Sequence, residues 1–317
     1  MLENAKQILG SVYDIKALFL QPIPAGWSSA AFKVHAPSGD YFLKVYDKNK
    51  PTAQSWIART DAYMPVVLWL NDHTPLRQKM TAPLLTWDGS YKYEDAAYLY
   101  MVFPFIDGWT INDAKLKPDQ TRELAEIVAL LHAYSTEIPV PTDDLLEIFD
   151  ISFCDALSVW LKNNQDSVLN KALTPHADII ARSIESLRKS VDTLRHSEMR
   201  YSLCHTDIHG WNLMQSDRLV LIDWEGLKLA PVEADLFSFT DTFFFGYAWE
   251  DFLTVYRSVH KAFEVNPIAL RFYRLRRRLE DIHTFAESIL FDNLTREEKN
   301  RSLFHLKQEC ALLHRML

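Results

Sequence analysis

Disulfide chemistry has almost nothing to work with in this chain. Its three cysteines, Cys154, Cys204 and Cys310, are scattered, odd in number and never spaced as metal ligands. That excludes a disulfide framework and a zinc knuckle. A basic excess is missing as well: 34 lysines and arginines stand against 42 acids, for a formal charge of −8. Nucleic-acid binders draw most of their affinity from neutralising phosphates, so the balance points away from DNA and RNA and toward a cationic small molecule. Apolar runs such as LYMVFPF fall far short of the roughly 18 residues that span a bilayer. The opening MLENAKQILG has no basic region followed by a long apolar stretch, unlike a signal peptide. The expectation is a cytoplasmic protein with no membrane partner.

What is present is an ordinary globular supply of apolar residues, 48% of 317, enough for two lobes that each bury a core. Leu2–Tyr13 has the pattern of a short amphipathic helix. Alternation then predicts strands in SAAFKVHA, YFLKVYD and AAYLYMVFPF, with a helix near Ser55–Asn71 between the last two. In YFLKVYD, Tyr41, Leu43 and Val45 share one face, while Phe42, Lys44 and Tyr46 share the other. From TRELAEIVALLHAYS onward helical spacing dominates, over roughly 150–165, 176–195 and from about 241 to the end. Short strands interrupt it at 201–223. A boundary near Pro104–Gly108 divides residues 1–103 from 104–317, and a cleft between two such lobes is a common ligand site.

The chemistry concentrates in YSLCHTDIHGWNLMQSDRLVLIDWEG, residues 201–226. A strand-like LVLI run ends at Asp223, a second strand starts at Asn212, and Ser216–Leu219 makes a turn between them. With the turn centred at 217.5, a symmetric hairpin would set Asn212 opposite Asp223, their β-carbons about 4.5–5.5 Å apart. An amide oxygen and a carboxylate are hard donors that suit Mg²⁺. Asp207, five residues before Asn212, would sit where it can orient an attacking hydroxyl. One positioning carboxylate and two metal ligands are what phosphoryl transfer requires.

His205, Asp207 and Asn212 in CHTDIHGWN, followed by Asp223 in LIDWEG, resemble the Brenner-type motif of the aminoglycoside phosphotransferase and choline kinase family. The likeness extends over roughly residues 20–290. DWEGLKLAPVEADLFSF, YRLRRRLEDI and YMVFPFIDG resemble the spectinomycin-type aminoglycoside phosphotransferases in particular. The resemblance implies an α+β, bilobal, protein-kinase-like fold: a small N-terminal antiparallel sheet lobe with one main helix, and a larger, mostly helical C-terminal lobe. It implies that Asp207 is the catalytic base and that Asn212 and Asp223 are Mg²⁺ ligands. Lys44 would contact the α- and β-phosphates of ATP or GTP, with His205 and Asp235 bracing the loop.

Two departures from the family pattern stand out. Lys44 would pair with a helix glutamate, yet no glutamate occurs between Lys44 and Glu94, and Asp61 is the candidate substitute. In place of a G-x-G-x-x-G phosphate loop, PAGWSSAAF offers only Gly26, with Ser28 and Ser29 as candidate phosphate contacts. Adenine would lie against Phe103, Phe105 and Ile106, where Pro104 has no N–H to offer; the same residues also make ordinary core. Glu225, Asp241, Trp249 and Glu250 are candidates for binding the acceptor. DTFFFGYAWEDF reads equally as core or pocket, and the arginines of RFYRLRRRLED as an ion-pair set or a ligand-facing row. The expected function is transfer of the γ-phosphoryl group to a hydroxyl of an aminocyclitol or aminoglycoside such as spectinomycin. The alternatives are a kinase for choline, homoserine or a sugar, and a kinase fold that only binds.

Overall fold

The alternation of YFLKVYD becomes the middle of a sheet. In the computed structural model, which describes residues 2–23, 29–163, 167–240 and 245–316, helix α1 (Leu2–Tyr13) precedes three strands. These are β1 (Phe19–Ile23), β2 (Ala30–Ala36) and β3 (Gly39–Asp47). Helix α2 (Pro51–His73) leads to β4 (Tyr93–Glu94) and β5 (Tyr98–Pro104). The sheet order is β1-β2-β3-β5-β4, antiparallel throughout, and Lys44 pairs with Met101 in its interior. Strand β1 carried no alternation strong enough to be anticipated.

Both faces of this sheet are used. Leu43 and Val45 face α1, whose Ala5, Ile8, Leu9 and Val12 recur at helical spacing and bury against Val34, Tyr100 and Val102. Each fully buried aliphatic side chain contributes roughly 1.5–3 kcal/mol. The opposite face sends Tyr46 into a cluster with Tyr63, Val67 and Leu70 of α2. That cluster continues without a break into the second half of the chain.

There β6 (Trp109–Thr110) and α3 (Pro118–Leu131) are followed by α4 (Phe153–Asn163), α5 (Ser167–Leu173) and α6 (Ala177–Arg195). The strands β7 (Ser202–Cys204), β8 (Leu213–Gln215), β9 (Leu219–Leu221) and β10 (Lys228–Ala230) then form two small sheets, β6-β8-β9 and β10-β7. Four helices close the chain: α7 (Glu233–Leu236), α8 (Trp249–Val259), α9 (Pro267–Phe291) and α10 (Arg296–Leu313). Asn266 caps α9 through Ile268 and Ala269, and Thr295 with Glu298 forms a capping box on α10. No described helix is long and apolar enough to cross a membrane.

The architecture is the one the resemblance implied: a small antiparallel sheet with one principal helix, set on a mostly helical remainder. The β8–β9 hairpin departs from expectation by half a residue in its turn centre. Leu213 faces Leu221 and Gln215 faces Leu219, so the turn centres on Asp217 and Asn212 faces Ile222 rather than Asp223. The Ile222 N–H donates to the Asn212 carbonyl at 2.9 Å. Asp223 follows one residue beyond the paired strand.

Candidate active site

The catalytic loop lies between β7 and β8, and nearly every polar group in it is spoken for. Asp235 is fully buried beneath it, accepting the His205 N–H at 2.9 Å through Oδ2 and the Thr206 N–H at 2.5 Å through Oδ1. The same Oδ2 lies 3.0 Å from His132 Nε2, whose ring also meets the Tyr256 hydroxyl at 2.8 Å. His205 is buried as well. Its Nε2 donates to the Ile222 carbonyl at 3.0 Å, and its Nδ1 accepts the Asp207 N–H at 3.3 Å. This is the tautomer of a neutral ring, and burial pushes the His205 pKa down. His205 and Asp235 therefore hold the loop together.

Thr206 has φ +66°, in the left-handed region that β-branched residues avoid. Its hydroxyl donates to the Gly226 carbonyl at 2.8 Å. A β-carbon on Gly226 would come within 2.6 Å of Thr206 Oγ1 and 2.7 Å of the His205 carbonyl, so this approach requires glycine. Asp223 also has φ +66°, which turns its side chain out of the β9 ladder. Strain of this kind, about 1–3 kcal/mol per residue, persists where surrounding bonds over-determine the backbone.

Asp223 Oδ1 accepts from Lys44 Nζ at 2.8 Å. Glu225 Oε1 also accepts from Lys44, and from the Tyr46 hydroxyl. Burial alone would lower the Lys44 pKa, but the Asp223 and Glu225 carboxylates outweigh it and hold the ammonium charged. The expected Lys44–Asp61 pair is not made. Asp61 lies on the solvent side of α2, where it pairs with Lys92 at 2.6 Å and accepts from the Tyr91 hydroxyl at 2.5 Å. The buried face of α2 presents Thr60, Tyr63, Met64 and Val67 instead, which is why position 61 points away. Glu225, placed among the acceptor residues from the sequence, is the second acid on Lys44.

Asp207 is held from three directions. Asn212 Nδ2 donates to its carbonyl at 2.9 Å and to Oδ2 at 3.0 Å; His209 Nε2 lies 3.3 Å from Oδ1; and Arg277 of α9 donates to Oδ1. Burial would raise the Asp207 pKa, but the Arg277 guanidinium and the His209 ring outweigh it and hold the carboxyl well below the usual range. Arg277 was not singled out from its sequence cluster. The available signal was Asp281 four residues on, whose Oδ2 accepts from Arg277 Nε at 2.9 Å. Its neighbours are structural ion pairs: Arg276 with Glu147 and Glu280, and Arg278 with Glu309 of α10.

The donor set suits Mg²⁺. Both Asn212 Nδ2 bonds go to Asp207, which leaves its amide oxygen, and no described group donates to Asp223 Oδ2. Two hard oxygens thus remain on adjoining segments.

The other expected residues are spread around this centre. Phe103 lies on β5, 6.1 Å from Phe42 in an edge contact, and Lys33 Nζ stands 4.0 Å above the Phe105 ring. Ile106 is half-buried in the segment between β5 and β6. Ser29 is half-buried just before β2, whereas Ser28, Gly26 and Asp241 lie outside the described residues. Trp249 is half-buried and stacks on Phe252, and Glu250 is exposed in the first turn of α8. Among the described residues no hydrogen bond joins either to the loop. Trp211, by contrast, is 56% exposed within the loop and donates to Asp113 at 3.2 Å.

A half-buried lysine on two carboxylates, a braced loop aspartate and a strand-end aspartate are gathered on a protein-kinase-like fold. The chain belongs to the phosphotransferase enzyme family, whose pattern matches residues 20–258. Protein StrN of Streptomyces griseus is 25% identical over an alignment of 222 positions that covers 65% of this chain and 63% of StrN's length. The structure superposes on a spectinomycin phosphotransferase solved with ADP and spectinomycin, with a TM-score of 0.76 at 18% identity, covering 100% of this chain and 98% of the other. A choline kinase from Streptococcus pneumoniae gives a TM-score of 0.62 at 14% identity, covering 99% and 97%.

Proposed function

We propose that this protein transfers the γ-phosphoryl group of ATP or GTP to a hydroxyl of an aminocyclitol or aminoglycoside, with spectinomycin as the first acceptor to test. The observation that carries the reading is two hydrogen-bonded pairs, Lys44–Asp223 and Asn212–Asp207, on adjoining segments tied together where His205 and Asn212 bond the backbone of Ile222, next to Asp223. Residues 1–103 are the nucleotide-side lobe and 104–317 the catalytic and acceptor-side lobe. Adenine lies against the connector, reading backbone groups at Phe105 or Ile106 beside Phe103. Lys44 binds the α- and β-phosphates, and Ser28 and Ser29 are the candidates for further phosphate contacts. Asn212 and Asp223 hold Mg²⁺, which when bound neutralises charge on the β- and γ-phosphates. Asp207 orients the acceptor hydroxyl in line with the γ-phosphorus. Held ionised by its neighbours, it is a weak base and accepts the proton late, so position and charge supply most of the acceleration.

The acids around the site limit the acceptor. Glu147, Glu280 and Asp281 are matched by Arg276, Arg277 and Lys228, so they offer little spare charge to a polycation. That favours an acceptor with few amino groups, and it keeps choline and similar small metabolites as the second reading. Asp241, Trp249 and Glu250 remain candidates on the acceptor side.

The test is a coupled nucleotide-turnover screen of purified protein against aminocyclitols, aminoglycosides, choline and homoserine, with phosphorus NMR of the product. Asp207→Ala is expected to lower turnover by about 10²–10⁴-fold while nucleotide still binds. Near-normal turnover in that variant overturns the assignment.

A further inference from the structure

Arg277 is a half-buried cation that the chemistry described so far does not use. It projects from α9, a 25-residue helix anchored by buried Leu275, Leu279 and Ile282, and reaches across 70 residues of sequence to Asp207. One planar guanidinium joins two carboxylates, Nη1 donating to Asp207 Oδ1 and Nε to Asp281 Oδ2. The adjacent Arg278 is 1% exposed and paired with Glu309 at 2.8 Å, which ties this turn of α9 to α10.

A carboxylate on a loop can rotate about two side-chain bonds. Asn212 bonds Oδ2 and His209 stands 3.3 Å from Oδ1, but both belong to the same loop and move with it. Arg277 supplies a point from a rigid element rather than from the loop itself. We propose that Arg277, braced by Asp281, is a positioning residue that sets the rotamer of Asp207 toward the acceptor hydroxyl. The proposal rests on the phosphotransfer reading of the site. Arginine suits the task because its fork spans both acids at once, whereas lysine keeps the charge without the fork. A guanidinium that merely blocked Asp207 until the acceptor arrived would have the opposite kinetic signature, since its removal would speed the reaction.

The experiment compares Arg277→Ala, Arg277→Lys, Asp281→Asn and Asp207→Ala, with Arg271→Ala as a control. Arg271 lies on the same helix and, among the described residues, donates only to Ser186 at 3.3 Å, outside the site. Arg277→Ala is expected to lower kcat by about 100-fold while the nucleotide KM stays within about twofold, the size of effect that misplacement of a reacting group produces. Arg277→Lys recovers part of the loss, added guanidinium rescues Arg277→Ala, and Asp281→Asn shows a smaller loss. Crystal structures of Arg277→Lys and Asp281→Asn, the variants most certain to fold, show a displaced Asp207 carboxylate whether or not an acceptor has been found.

Turnover at or above wild type in Arg277→Ala overturns the proposal. So does an unmoved Asp207 in both crystal structures. If Asp207→Ala is inactive while Arg277→Ala behaves as wild type, only the positioning role fails. If Asp207→Ala keeps its turnover, the phosphotransfer reading fails with it.

Discussion

The two ends of the site are built on one plan with different materials. At the end we propose for the nucleotide Lys44 lies between Asp223 and Glu225, and at the end we propose for the acceptor Arg277 lies between Asp207 and Asp281. Each is a half-buried cation bridging two acids, and each keeps its charge despite partial burial. They differ in what carries the cation. Lys44 stands in the middle of a hydrogen-bonded ladder, pinned by β2 and β5 on either side. Arg277 stands on a helix whose place depends on Arg278 and Glu309. The nucleotide end is therefore fixed by sheet geometry, and the acceptor end by packing between helices.

Breaking the nucleotide end should have the largest effect. Lys44→Met leaves Asp223 and Glu225 facing each other without a cation, and turnover should fall by about 100-fold or more, as expected when charge stabilisation at a phosphoryl group is removed. Steady-state kinetics with the acceptor found by the screen measures it. A smaller loss tells which acid serves the lysine. Glu225→Gln should raise the nucleotide KM several-fold, whereas Asp61→Ala should leave it unchanged, because among the described residues Asp61 bonds only to Lys92 and Tyr91. The reverse order of effects would restore the helix acid as the partner.

The two ends meet at Gly226, whose carbonyl accepts from Thr206. Gly226→Ala must push the 205–206 segment away and should destabilise the fold by about 1–3 kcal/mol, read as a lower midpoint in thermal unfolding. Unchanged stability would mean that the loop yields freely. The smallest effect is a pH slope at the outer edge of the acceptor end. Burial beside Asp281 raises the Glu309 pKa from 4.5 to about 7. The folded state then binds the proton more tightly than the unfolded chain, so this contribution is full below pH 4.5 and is lost as pH rises toward 7. Glu309→Gln should flatten that part of the stability profile, whatever it does to absolute stability through Arg278. An unaltered slope across that window would place the titration elsewhere.

Local pattern made much of this legible. The spacing of Asp207, Asn212 and Asp223 marked the loop and the strand end, because five- and eleven-residue intervals keep those residues on adjoining segments. The helical period of Leu2–Tyr13 gave α1 its bounds, and alternation in YFLKVYD placed Lys44 on the face opposite Leu43 and Val45. Pattern failed where one residue decides. An odd three-residue turn, Ser216–Arg218, shifted the hairpin so that Asn212 met Ile222, and a left-handed Asp223 restored its direction by a route that no spacing rule reports.

The sequence by itself determined which residue types stand at which intervals, and so the chemistry available: oxygen donors for a hard cation, a loop carboxylate, and a lysine on a strand. Only the tertiary structure decided the partners. Asp61 and Glu225 are both acids within reach on paper. The turn of a helix sent one to solvent, while a glycine-tight approach beside Asp223 brought the other to Lys44. Arg277 met Asp207 because α9 packs across the end of the loop. Pairings between groups 70 or 180 residues apart depend on how rigid elements stack, and stacking is set by the summed burial of many side chains rather than by any interval along the chain.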